Sequence, residues 1–321
     1  MTPQTTAASN ARVVDGSSVA YGERRLFVLA TDALREYRAG VTGTNPKPIA
    51  TFAFPAAPAG TVWVPVDTVE APDRTVYALF YNKSTGFPTV VAYAPNTTTI
   101  EEQFQLPHAE TPLSIALVGD GIDVSTEATL YTYPYDAGNT PVPVRTLNVR
   151  GPVVTDSHDQ MYAWTYSATP GGDATVSVYA PASSGNAAPS RVIDAGARYL
   201  NRIIVGPDKT IYGSFSDPLA SFSVVQTIPR DGTKPRIVAE YPSSNSGSAA
   251  FVYSMSVDSD NDLYVGAGTT PDVEYLVQLY AAHVDVYGPR ATYANGRNAP
   301  LQSATGLAPA GKGLVAIATG R

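Results

Sequence analysis

Residues 150–200, RGPVVTDSHDQMYAWTYSATPGGDATVSVYAPASSGNAAPSRVIDAGARYL, decide the fold. They divide into four short runs, 153–156, 161–166, 175–179 and 191–194, each alternating or β-branched and each bounded by turn formers. Named A, B, C and D, these runs recur in looser form along the whole chain. A four-strand unit repeated every 40 to 50 residues or so is the signature of a propeller blade.

Run B is the clearest landmark, an apolar stretch entered from a polar turn. ERRLFVLA, PDRTVYALF, GDGIDVST, HDQMYAWT, PDKTIYGSF, DNDLYVGA and GKGLVAIA align on Phe27, Tyr77, Val124, Tyr162, Tyr212, Tyr264 and Val315, at spacings of 50, 47, 38, 50, 52 and 51 residues. Seven recurrences predict seven blades. The turn before each holds Gly, Asp, Asn or Lys, which either accept φ > 0 or cap their own backbone; Gly121 and Gly232 are expected at φ > 0. Run C ends on Tyr37, Tyr93, Tyr133, Tyr179, Ile228 and Tyr287, mostly just before a Pro or Gly that terminates the ladder. Taking Tyr287 rather than Tyr280 leaves a long B–C insertion across 267–283. Loops such as GTNPKP, DAGNTPVP, SSGNAAP and DGTKP then lead into run D.

The two ends complement each other. Residues 301–319 supply only an A–B hairpin, and residues 11–16, ARVVDG, read like run D at SRVIDAG. The expected architecture is therefore a single all-β domain over 1–321: a seven-bladed propeller of four-stranded antiparallel blades. Its last blade is composite, with residues 1–16 as the closing strand, so that the open edge disappears. A six-bladed ring with an appended hairpin is the alternative.

Composition agrees. Charged residues make up 15% of the 321, with 27 Pro, 26 Gly and 20 Tyr, which favours short strands and tight turns. A net charge of −7 with five Lys among the 21 basic residues leaves no basic stripe for phosphates, so nucleic acid is not an expected partner. With no cysteine there is no thiolate chemistry, disulfide or Cys-ligated metal. No apolar run approaches the ~18 residues of a membrane helix, and no insertion into a membrane is expected. The start MTPQTTAASNAR lacks a signal-peptide core, while the Thr, Ser, Ala and Pro richness suits an exported bacterial domain. An extracellular or periplasmic location is the expectation.

The hairpin turn, LYV, VYAP, GNAAP-like loop and R-x-I strand together resemble bacterial NHL-type propeller repeats, similar in fold to streptogramin lyases and related lactonases. The resemblance covers 11–319 and is clearest over 153–200 and 251–266. It implies the fold; its members include enzymes, ligand sensors and protein-binding scaffolds. The related lyases depend on paired histidines and a bound metal. Here His108 falls in a D–A connection, His158 in an A–B turn and His283 in the B–C insertion, which scatters them. Asp258, Asp260 and Asp262 have the alternating spacing of Ca²⁺ ligands, without the Gly and the bidentate Glu of a full calcium loop. No G-x-S-x-G elbow occurs. Trp63 and Trp164 fit packing between blades.

No catalytic or metal-ligating set is assigned, and no cofactor is expected beyond that Ca²⁺ option. The expected function is a non-enzymatic scaffold binding a protein, a glycan or a small polar molecule. A metal-assisted lyase or lactonase working in the central channel is the alternative. The candidate ligand residues precede each strand A, around the axial mouth: Glu110, Arg150, Asn201, Arg202, Tyr253 and Ser303. With two guanidinium groups against one carboxylate, that set suits a polar or anionic ligand better than a bare cation.

Overall fold

In the computed structural model the described residues are 12–14, 17–19 and 24–319, except 58–59, 120, 139–140, 166–173, 197–198, 218–221, 232, 243–249, 270–279, 289–299, 310–311 and 313. Every named element is a strand. β1 (Arg12–Val14) pairs with β2 (Ser17–Val19) as a separate hairpin. The first blade takes β3 (Arg25–Ala30), β4 (Leu34–Arg38) and, beyond the short β5 (Gly43–Thr44), β6 (Ala50–Phe52). The second holds β7 (Trp63–Glu70), β8 (Val76–Asn82), β9 (Pro88–Tyr93) and β10 (Ile100–Gln105). The third holds β11 (Pro112–Val118), β12 (Gly121–Thr126), β13 (Leu130–Pro134) and β14 (Arg145–Leu147). The fourth is β15 (Val153–Thr155), β16 (Met161–Thr165), β17 (Thr175–Tyr179) and β18 (Arg191–Asp194). The fifth is β19 (Leu200–Val205), β20 (Ile211–Asp217), β21 (Phe222–Thr227) and β22 (Ile237–Pro242). The sixth is β23 (Ala250–Val257), β24 (Leu263–Thr269), β25 (Tyr280–Tyr287) and β26 (Gln302–Thr305), after which β27 (Leu314–Thr319) returns to pair with β3.

The ring therefore has six blades, where the spacing of run B predicts seven. Val315 lies in β27, the innermost strand of the first blade, beside the strand that carries Phe27. A strand buried on both faces gives a nearly continuous apolar run, and LVAIAT reads the same whether it is an A or a B strand. Two of the seven matches thus belong to one blade. Closure comes from the C-terminus, with β27 packed between β23 and β7. The described part of the N-terminal segment, β1, pairs with β2 rather than with a blade. The B–C insertion is also shorter than expected, because β24 runs to Thr269 and β25 begins at Tyr280, so that His283 stands in a strand.

Hydrophobic packing is organised by seam. Six buried clusters each join one blade to the next, such as Leu79, Val90 and Phe104 of the second with Ile122, Val124 and Tyr133 of the third. Leu26, Val28 and Tyr37 of the first meet Tyr264 and Val284 of the sixth in the same way. Trp164 packs in the seam of the fourth and fifth blades, and Trp63 lies edge-on to Phe80 at 6.1 Å.

The A–B turns repeat one design. Ala71, Asp156, Gly206 and Asp258 each exchange main-chain hydrogen bonds across a turn, and three residues later Arg74, Asp159, Lys209 and Asn261 hold φ of 79°, 58°, 67° and 65°. A side chain caps the turn: Asp156 Oδ1 accepts from the amides of His158 and Gln160, while Asp73 and Asp208 accept from Thr75 and Thr210. In these four turns the left-handed residue is polar, whereas the third blade's A–B turn uses Gly119 at φ 48°. Gly121 is not left-handed; it is needed because a Cβ there would meet the carbonyl oxygen of Tyr133 on the adjacent strand. Gly232 lies outside the described residues.

The C–D loops reach back to the preceding blade. β5 adds a parallel strand to β26, with Asn45 N donating to Thr305 O at 2.8 Å, and Gly185 bridges Leu147 in parallel, its amide donating to Thr146 O at 2.8 Å. Among the described residues no helix is long and apolar enough to cross a membrane.

Deleting residues 312–321 removes an inner strand and opens two seams at once. The loss should match the whole stability of a domain, about 5–15 kcal/mol, and calorimetry should find no cooperative unfolding transition. Gly121→Ala should lower stability by about 1–3 kcal/mol in urea unfolding, through the collision with Tyr133.

Candidate functional site

The inner strands β7, β11, β15, β19, β23 and β27 surround the axis, each touching the next in a closed cycle. Five of them shift register at the same level, after Pro65, Pro112, Leu200, Val252 and Leu314. A bulge re-aims the following side chain, and here that residue is Asp67, Ser114, Arg202, Ser254 or Ala316. The polar ones reach the main chain of a neighbouring inner strand. Asp67 Oδ2 accepts from Ile115 N at 3.3 Å, Ser114 Oγ accepts from Val153 N at 2.8 Å and donates to its carbonyl at 2.9 Å, and Ser254 Oγ accepts from Ile317 N at 2.7 Å.

Arg202 does something different. Its guanidinium crosses the axis from the fifth blade to the second, where Nη2 lies 2.8 Å from both oxygens of Asp67. Asp67 is fully buried and also accepts from Thr68 N. The pair bolts the channel at mid-height. On the A–B side of it remains a cavity of ≈ 100 Å³ bordered by Thr68, Thr155, Arg202, Ser256 and Thr319. That is room for a few waters, well short of the ~300 Å³ and upward of an ordinary ligand pocket.

The other candidate residues have separate surroundings, Asn201 and Tyr253 on inner strands and the rest outside them. Glu110 accepts from Thr126 Oγ1 and from the Tyr131 hydroxyl, the latter at 3.3 Å. Asn201 Nδ2 donates to Ser216 Oγ at 2.5 Å and to Val252 O at 3.4 Å, tying the fifth blade to the sixth. Arg150 is exposed ahead of β15. Tyr253 belongs to β23, with its side chain outside the described residues. Ser303 stands on β26, an outer strand, because the C-terminus contributes one inner strand and not a hairpin. The missed residue is Asp67. Its signal is a carboxylate in the apolar strand WVPVDTVE, where burial demands a partner.

The turn with three aspartates encloses a cation of the chain itself. Arg24 Nη1 lies 2.6, 3.1 and 3.5 Å from Asp258, Asp260 and Asp262. Asp258 also receives the Tyr264 hydroxyl at 3.3 Å. The same device joins the fourth and fifth blades, where Asp156 receives the Tyr162 hydroxyl at 3.0 Å and Arg230 donates to that hydroxyl at 2.8 Å. Among the histidines, His108 and His158 are exposed, and His283 Nε2 lies 3.4 Å from Asp285 Oδ2. Among the described residues no three His, Cys, Asp or Glu side chains converge as a donor set for a metal.

A larger space lies between the second and third blades, a cleft of ≈ 340 Å³ lined by Asp73, Glu101, Glu102, Tyr135 and Asp136 around Tyr77. The rings of Tyr77 and Tyr135 stack at 6.0 Å, and the Tyr77 hydroxyl donates to Tyr135 O at 3.0 Å. Burial, with Asp136 second, raises Glu102 from its ordinary value. Burial raises Tyr77 as well, and the charges that act on it, Asp73, Glu102 and Glu101, are all negative. Among the described residues that line it there are four carboxylates and no Lys or Arg, so the cleft is acidic over an aromatic floor.

No protein-family model and no curated protein matches the chain. Solved structures do. A chain of a nidogen/laminin complex superposes with a TM-score of 0.56 at 11% identity, over 92% of this chain and 98% of that one. A Bacteroides uniformis protein provisionally assigned as a 6-phosphogluconolactonase gives 0.52 at 15% identity, over 88% and 82%. At such identities the likeness is one of fold: the chain is an all-β propeller of four-stranded antiparallel blades.

Arg202→Leu should destabilise the protein by about 3–5 kcal/mol, because it leaves Asp67 charged and buried without its partner. The double variant Arg202→Leu/Asp67→Asn should recover part of that loss in a urea double-mutant cycle.

Proposed function

We propose that this chain is a non-enzymatic propeller scaffold that binds a protein or a small polar ligand through a positively charged group. The bolt carries the reading. Where a propeller enzyme of the lyase or lactonase kind would gather reacting groups along its axis, Arg202 and Asp67 neutralise each other. A metal or anionic substrate there would have to break a buried ion pair first. The acidic, tyrosine-floored cleft between the second and third blades is the larger polar concavity, and its charge favours an ammonium or guanidinium. The structural likeness to a chain from a nidogen/laminin complex is compatible with a protein partner. The NHL-type resemblance and an exported setting fit the same reading.

The test is calorimetric titration of the purified protein with spermidine, a Lys/Arg-rich peptide, a neutral oligosaccharide and a dicarboxylate. The cationic probes should bind with salt-sensitive affinity, and Glu101→Gln/Asp136→Asn should weaken them about tenfold or more. Binding restricted to the neutral or anionic probes, or untouched by the double variant, overturns the proposal.

A further inference from the structure

One buried charge departs from the repeat. The last residue of the inner strand is Thr155 in the fourth blade, Val205 in the fifth and Val257 in the sixth, but Glu70 in the second. Glu70 is 2% exposed and faces the first blade, in the seam where the ring closes. Its Oε2 lies 3.5 Å from Arg74 Nη1, on its own A–B turn, and its Oε1 has no hydrogen-bond partner.

The surrounding charges are already committed. Arg25 of β3 places Nη1 3.3 Å from Glu36 Oε1 on β4, and its Nη2 donates to Asn96 Oδ1 on the C–D loop of the second blade at 2.8 Å. β27, packed on β7, ends beside this level with Ala318 and Thr319, which carry no charge. Glu70 thus meets one cation of its own turn, one cation shared with Glu36, and a like charge in Glu36 itself.

The geometry points to a proton-operated latch at the closing seam: with its proton Glu70 sits between the first two blades as a neutral group, and without it the seam loosens around β27. On release the proton goes to solvent, leaving a dehydrated carboxylate with one oxygen unsatisfied, the costly arrangement for a buried acid. Burial, opposed by Arg74 and Arg25, pushes the acid up to about 7 from an ordinary 4.5. The folded chain therefore holds this proton more tightly than the unfolded one. Its contribution is complete below the unfolded value, falls as pH rises between the two, and is lost above the folded value.

The experiment follows urea unfolding and hydrogen exchange from about pH 5 to about pH 8, for the wild type and Glu70→Gln. The wild-type unfolding constant should rise on the order of a hundredfold over that interval. Glu70→Gln should flatten the rise, and be the more stable protein at the upper end. In the wild type the amides of Leu314–Thr319 should lose protection, beyond the intrinsic rate change, as the pH increases. Should Glu70→Gln not fold, Arg74→Asn serves instead: Asn tolerates the φ of 79° there, and loss of the cation should move the midpoint to higher pH. A rise that survives Glu70→Gln, a midpoint unmoved in Arg74→Asn, or steady protection of Leu314–Thr319 overturns the latch.

Discussion

The structure depends on how the inner strands satisfy their axial edge. Each A strand pairs with a B strand on one side and turns its other edge to the axis, where main-chain donors and acceptors still need partners. The bulges at one level provide them: Asp67 takes Ile115 N, Ser114 takes Val153 N, Ser254 takes Ile317 N, and Arg202 draws the second and fifth blades together across the channel. Short polar side chains aimed at the next strand make the ring self-supporting at its narrowest radius.

Further out, apolar clusters fill all six seams and C–D loops lock the rim, as β5 does on β26. Between these layers, toward the A–B face, lie charged staples such as Arg24 on Asp258 and Arg230 on Tyr162. The Glu70 seam is the weakest of these polar contacts on geometry, with a 3.5 Å approach on one oxygen and none on the other, and it sits where the chain's two ends meet. A ring closed by non-covalent pairing is sensitive at that seam, which is why a single proton can matter there.

How much of this was legible varied by element. The unit at residues 150–200 yields β15 to β18 nearly residue for residue, because each turn contains a residue type that a tight turn requires. The six C-strand landmarks from Tyr37 to Tyr287 match the six blades. The B-strand landmark overcounts, since β27 is apolar on both faces for the same reason β3 is. Ring count and closure are long-range properties, and strand periodicity is a local one. For the same reason Arg202 was identifiable as axial but not as spent, its partner lying 135 residues away. The three-aspartate turn looked open to a cation because Arg24, which fills it, is 234 residues from Asp258. The cleft of Asp73, Glu102 and Tyr135 joins residues from two blades and leaves no mark in either repeat alone.

The axial belt is the most stable layer of the molecule and the outer strands the least. Native-state hydrogen exchange with residue resolution tests this directly. The amides of Ile115, Val153 and Ile317 should exchange only through global unfolding, more slowly than those of the outer strands β14 and β18. Exchange of the three axial amides by local opening, as fast as the rim, would contradict the claim that the bulge-level belt holds the ring together.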